Sequence, residues 1–208
     1  KKKSKEFNRL WSRMSELGEL RFSVHDEPDV EDWLSRFLKL EAGGWKGKRG
    51  TALKADADQR AYFEKLCRGA ALQGKLHCTE ITLDGKPLAM LSSFRAGDGI
   101  YTFKIAFDEE YWRYSPGALL MLKLIGEVLG DARTAWADSC AIPGHPMIDH
   151  IWAERREMRS VLVAGATPFG AAATRYAATA TKLAEKLRAA LRKHYNAFRK
   201  ERENEQND

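Results

Sequence analysis

The chain has 208 residues, of which 44% are hydrophobic and 31% charged, with a net charge of +6 and a pI near 9.2. This suits a soluble globular chain of one domain, or one and a half, with a sizeable core. The mild basic excess favours anionic partners such as nucleotides, coenzyme A, acidic lipid surfaces or nucleic acid, without choosing among them.

Three widely spaced cysteines, Cys67, Cys78 and Cys140, form no CxxC pair. That argues against a disulfide framework or a zinc knuckle and for a reducing, cytoplasmic location. No apolar run approaches the roughly 20 residues that span a bilayer. The opening "KKKSKEFNRL" lacks the apolar core of a signal peptide. The first residue is not Met, which raises the expectation of a longer natural chain.

Phe7, Leu10, Trp11, Met14 and Leu17 recur at helical spacing, so a helix is expected over 5–18. A short strand follows in "ELRFSVHDEP". "DVEDWLSRFLKLEAGG" is a second helix with Val30, Trp33, Leu34, Phe37, Leu38 and Glu41 on one stripe, stopped by Gly43-Gly44. A loop rich in glycine and cations, "EAGGWKGKRGTAL", spans 41–53. "DADQRAYFEKLCRGAALQG" is a third helix.

The period then changes to two. Turn signals at Asp84-Gly85 and Gly97-Asp98-Gly99 divide three antiparallel strands, near 76–83, 86–95 and 100–108. In "SPGALLMLKLIGEVLG", Ser115 is the expected N-cap and Pro116 opens the helix. "TAWADSC" reads as a short strand, "HPMIDHIWAERREM" as a further helix and "RSVLVAG" as a last strand. From Ala171 to Arg202 runs a long Ala-rich helix with an apolar stripe of Leu183, Leu187, Leu191, Tyr195 and Phe198. The order is α+β, and the strand–helix–strand crossover near its middle presents a helix N-terminus to an anion.

"FKIAFDEEYWRYSPGALLMLKLI", "WADSCAIPGHPMIDHIWAERREM" and "FLKLEAGGWKGKRGTAL" together resemble the GNAT-type acyltransferases grouped as cellulose-biosynthesis-associated and BioF2-like acetyltransferase domains. These are similar in turn to the Fem-type aminoacyl transferases. The resemblance covers about 30–165 and implies a GNAT fold, with an acyl group passing from acyl-coenzyme A to an amine. It divides the chain into an N-terminal helix and connection (1–29) to a missing upstream half, a catalytic domain (30–165) and a basic C-terminal helix (166–208). The usual pyrophosphate signature has several spaced glycines; "RYSPGALL" has only Gly117.

Within that frame, Arg113, Tyr114, Ser115, Gly117 and Ala118 are the candidate coenzyme-binding residues. On the strand "FKIAFD", alternation puts Lys104, Ala106 and Asp108 on one face and Phe103, Ile105 and Phe107 on the other. That makes Lys104 a candidate acceptor contact and Asp108 a candidate base, against the plainer reading of a strand-end salt bridge. In "WADSCAIPGHP", Asp138 or His145 is the candidate base and Ser139 or Cys140 the acid; Ser139 also contacts substrate. Direct transfer is preferred to a covalent Cys140 intermediate, and Cys140 also reads as a small buried hydrophobe.

The loop at 41–53 fails the Walker spacing, because Lys48 and Arg49 stand where glycine is needed. Its Glu41, Trp45, Lys46 and Lys48 are candidate substrate contacts. His150 and Glu154 are one helical turn apart but have no third ligand, so no metal is expected. The C-terminal helix is expected to pack on the domain or a partner; peripheral contact with the inner membrane face or an envelope synthase is the other reading. Fem-like transfer from tRNA and a non-catalytic binding module are the functional alternatives.

Overall fold

The computed structural model describes residues 2–44, 53, 56–142, 144–145, 147–158, 161–164 and 167–205. Two separate units form, one reaching Arg155 and the other Arg156–Asp208. In the first, α1 (Lys2–Ser15) precedes β1 (Leu20–His25), α2 (Val30–Gly43) and α3 (Ala57–Leu72). The meander β2 (Leu76–Leu83), β3 (Lys86–Ala96) and β4 (Gly99–Phe107) follows, then α4 (Pro116–Gly130) and β5 (Trp136–Asp138). The second unit holds the 38-residue α5 (Pro168–Glu205).

The five strands lie in sequence order, antiparallel except for the parallel pair β4–β5. The expected crossover through α4 is therefore present. Cross-strand partners share a face, so the register sorts the core into two layers. On one face Ile81, Leu91 and Ala89 meet α4 through Leu119, Leu120 and Leu124, with Met14 of α1 fully buried among them. On the other, Cys78, Met90 and Ala106 meet Trp33, Leu34 and Phe37 of α2 and Phe63 and Cys67 of α3. Asp29 caps α2 by accepting the Glu31 and Asp32 N–H groups, each at 3.1 Å.

Three expectations are corrected. Where the helix "HPMIDHIWAERREM" is expected, the described residues form one 3₁₀ turn, Ile148–His150, and residues 152–158 have no regular structure. Ile148 is buried and Trp152 half-buried, but from Ala153 to Met158 every side chain is exposed. A helix there would have no apolar face to bury, and short helices depend on that burial. The last strand fails similarly: the described residues 161–164 are irregular, and Val161 and Val163 are exposed.

The third correction concerns β4. Ser92 pairs with Lys104 but Ser93 with Thr102, which leaves Phe103 as the extra residue of a bulge. The bulge turns Phe103 away from Ile105 and Phe107. Its ring instead stacks on Phe63, 6.2 Å between centroids, and tilts against Phe94 at 5.5 Å.

Candidate active site

β5 pairs with β4 only from Gly99–Trp136 to Tyr101–Asp138. One more link follows, where the Thr102 hydroxyl donates to the Ser139 carbonyl at 2.8 Å. Beyond it, no described strand pairs with the outer edge of β4. A hollow of about 550 Å³ borders this split, lined by Gln59, Tyr62, Phe63, Phe103, Lys104 and Cys140 among others. The bulge therefore sits at the mouth of the split and supplies its aromatic wall.

The chain turns sharply as it leaves β5. Asp138 Oδ1 accepts the Cys140 N–H at 2.7 Å, and Cys140 adopts a left-handed backbone with φ 49°. An L side chain there stores roughly 1–2 kcal/mol. The turn brings Cys140 to the surface, so its reading as a buried small hydrophobe is corrected. Partial burial of the thiol, reinforced by the Asp138 charge, raises its pKa. Ser139 Oγ accepts the Ala141 N–H at 3.4 Å. Lys104 is half-buried, with Nζ 5.9 Å from the Phe103 ring centroid.

His145 closes the 3₁₀ turn that follows. Its Nδ1 accepts the Ile148 N–H at 3.3 Å and its carbonyl accepts the Asp149 N–H at 3.0 Å.

Asp108 lies elsewhere. Asp138 stands opposite Tyr101, and seven residues of extended chain separate Tyr101 from Asp108, about 20 Å. Asp108 caps the 3₁₀ turn Glu109–Tyr114 by accepting the Glu110 N–H at 3.0 Å. It lines a second, larger groove of about 1220 Å³ with Arg36, Lys39, Lys86, Phe107 and Trp112. The candidate bases at 108 and 138 are thus not one cluster.

The start of α4 also differs from expectation. Ser115 occupies the N-cap position, but in a left-handed conformation (φ 51°, ψ 53°) whose hydroxyl caps nothing. Among the described residues no side chain caps this terminus, so its first-turn N–H groups have no side-chain partner there. Gly117 is buried against β4: a Cβ there would lie 3.2 Å from Phe107 Cδ1. The lone glycine of the segment therefore has a packing reason. Ala118 is buried, Tyr114 packs on the core edge, and Arg113 is exposed.

Glu41 is turned inward. It is 5% exposed and its Oε2 accepts the Leu53 N–H at 2.9 Å, closing the base of the loop. Trp45, Lys46 and Lys48 lie outside the described residues. Among the described residues no group of three or more His, Cys, Asp or Glu side chains is placed to hold a metal.

Sequence reasoning missed Gln59, Tyr62 and Phe63. They share one face of α3 at helical spacing, but only the fold shows which strand that face crosses. It also missed a charge network at the far end of the sheet. There Asp26 accepts from His77 Nδ1 (2.7 Å), Arg95 (3.1 Å) and Arg133 (3.0 Å), while Asp131 joins Arg95 (3.2 Å) and Arg133 (3.0 Å).

A five-stranded mixed sheet that parts beside a crossover helix, with helices on both faces, defines an acetyltransferase architecture. The chain belongs to the acetyltransferase (GNAT) domain family, whose model matches residues 1–135. The match ends one residue before β5, so Asp138, Ser139, Cys140 and His145 lie beyond it. Among solved structures, a GCN5-related N-acetyltransferase from Ralstonia eutropha JMP134 aligns at TM-score 0.49 and 18% identity, over 71% of this chain and all of its own. An aminoglycoside acetyltransferase from an uncultured soil metagenomic sample, in complex with sisomicin, aligns at 0.46 and 13%, over 71% and 95%. A ribosomal-protein-alanine N-acetyltransferase from Brucella melitensis aligns at 0.47 and 11%, over 71% and 100%. No protein with a curated description matches. The protein is a transferase of this family, whose members use acetyl-coenzyme A as co-substrate.

Proposed function

We propose that this domain transfers an acyl group from acyl-coenzyme A to an amine by direct attack, in the split between β4 and β5. The observation that carries this reading is the edge of β4 beyond Thr102, which no described strand pairs with and which borders a hollow that holds Lys104 and Cys140. The pantetheine arm of coenzyme A is an extended chain with two amides. A free strand edge offers such a chain backbone donors and acceptors. The side-chain-uncapped N-terminus of α4, with Arg113 just before it, offers N–H groups and positive potential to the pyrophosphate.

In the reaction the neutral amine attacks the thioester carbonyl, the C–S bond breaks, and the proton lost by nitrogen is balanced by one gained by the thiolate. Cys140, with a raised pKa, remains a thiol at neutral pH and supplies the proton to the departing sulfur. Asp138, which shapes the Cys140 turn, is the carboxylate assigned to the amine proton. Lys104 places a cation beside the carbonyl oxygen as it becomes negative. His145 is assigned to holding the loop. Asp108, in the larger groove, is assigned to the acceptor side.

The acceptor we infer is the amine of a cell-envelope sugar, a peptide or a long-chain base. It rests on the resemblance to BioF2-like and cellulose-associated domains. The test is thiol release from acetyl- and long-chain acyl-coenzyme A with a panel of such amines. Turnover should fall in Lys104→Ala and Asp138→Asn with the fold intact. A calorimetric titration in which no acyl-coenzyme A binds would overturn the proposal, and binding of charged tRNA instead would move it to aminoacyl transfer.

A further inference from the structure

Charge is unevenly shared along this chain. α5 carries nine of the 35 Lys and Arg residues and only four of the 29 acids. Five of the six net positive charges therefore sit in one helix, and the rest of the protein is almost neutral. The net excess of positive charge is carried by α5.

α5 is also two-faced. At 100° per residue, Phe169, Tyr176, Leu183, Leu187 and Leu191 fall within an arc of about 80°. All five are open to solvent: Leu183, Leu187 and Leu191 are 59%, 57% and 68% exposed, and Phe169 and Tyr176 more so. Lys186 and Arg188 flank this arc, each about 60° beyond one edge; Arg175 and Lys182 follow further round on the Lys186 side, and Glu185 lies on the opposite face. The apolar stripe runs about 33 Å, from Phe169 to Leu191, at 1.5 Å per residue. Among the described residues no helix is long and apolar enough to cross a membrane.

We propose that α5 binds in the plane of an anionic lipid surface. Its aromatic and leucine face would enter the headgroup boundary, and the flanking Lys and Arg side chains would reach outward to acidic headgroups. Charge complementarity selects this occupant. Two copies of α5 packed stripe to stripe would bring the same cationic borders together, whereas an anionic bilayer meets both the apolar arc and its borders. Lying on the surface also fits a helix with this much charge, which hydrocarbon would reject.

Flotation of the full chain with vesicles tests this, using phosphatidylcholine alone or with roughly one third phosphatidylserine. Binding should require the anionic lipid and weaken when salt rises from about 0.1 to 0.5 M. Lys182→Glu with Lys186→Glu should weaken it at least tenfold, since each basic side chain contributes about fivefold. Leu183→Asp with Leu187→Asp should abolish it. These positions are far in sequence from the proposed catalytic residues, so acyl transfer to a soluble amine should be unchanged in every variant. Melting curves matching the parent would exclude misfolding. Equal binding by the double-Asp variant, or no binding to anionic vesicles, overturns the proposal. So does a concentration-dependent dimer that the double-Asp variant loses while vesicle binding stays absent; that result would give the face to a second copy.

Discussion

Asp26 is the residue on which the far end of the sheet depends. Its carboxylate takes hydrogen bonds from His77, Arg95 and Arg133, which come from β2, β3 and the turn that leads into β5. Asp26→Ala removes the acceptor of all three donors together. The Arg133 contact is two-thirds exposed and contributes little. Arg95 keeps Asp131 and the Thr134 hydroxyl, so its loss is partial. The His77 side chain is 2% exposed, its Nε2 already has no partner, and it would lose its Nδ1 acceptor as well. A stranded buried donor costs about 1–3 kcal/mol, which with the partial Arg95 term gives about 2–4 kcal/mol. Burial alone would raise the Asp26 pKa, but the hydrogen bonds from His77, Arg133 and Arg95 together outweigh it and hold the pKa well below the usual carboxylate range. A depressed pKa gives stability that is fully present above the unfolded value of about 4 and drains as pH falls toward the folded value. The parent should therefore lose its advantage over Asp26→Ala below about pH 4. All six tryptophans precede Arg155, so urea unfolding followed by their fluorescence reports the sheet unit alone. A loss under about 0.5 kcal/mol at neutral pH, or a gap unchanged between pH 7 and 3, would refute the reasoning.

Cys140→Ala should lower kcat about a hundredfold, the scale of one general acid, with KM for the acyl donor little changed; an acyl adduct on Cys140 trapped by mass spectrometry would instead establish a covalent route. In the folded protein a maleimide should label Cys140 alone, and more slowly at pH 8 than a free thiol, because its raised pKa leaves less thiolate. Burial pushes Cys67 up to about 12 and Cys78 also upward, so both should react only after unfolding. Gly117→Ala should cost about 1 kcal/mol in a denaturant melt, as the new methyl displaces the Phe107 ring, and leave KM for the acyl donor unchanged; a raised KM at unchanged stability would show that this glycine serves the coenzyme.

Periodicity revealed the elements whose apolar faces repeat. Trp33, Leu34 and Phe37 announced α2, and the Asp84-Gly85 and Gly97–Gly99 turns separated β2, β3 and β4 to within a residue. It failed where a segment had helical composition but nothing to cover. "ERREM" holds good helix formers, yet the apolar anchors stop at Trp152, and propensity alone does not sustain a helix. At Ser115 the residue type suggested a cap that the backbone does not allow, because a left-handed φ turns the hydroxyl away. The Asp26 network was invisible for a different reason: its members come from positions 26 to 133 and meet only once the strands pair.

The least legible feature has the largest consequence for the site. Strict alternation along "FKIAFD" makes Phe103 a core residue on the α4 face. One unpaired residue in the register with β3 moves it across the sheet, onto Phe63 and into the wall of the split. A bulge leaves no mark in composition, since it is a choice between two registers that differ by one residue. The packing on each side decides it: Ile105 and Phe107 fill the α4 face, Ala106 fits beneath Trp33 and Phe37, and Thr102 still reaches the Ser139 carbonyl. Had alternation held through 102, the Thr102 hydroxyl would face the other layer and the last link between β4 and β5 would be lost. The bulge and the split are thus one device, in which the residue that breaks the ladder also sets where the two strands part.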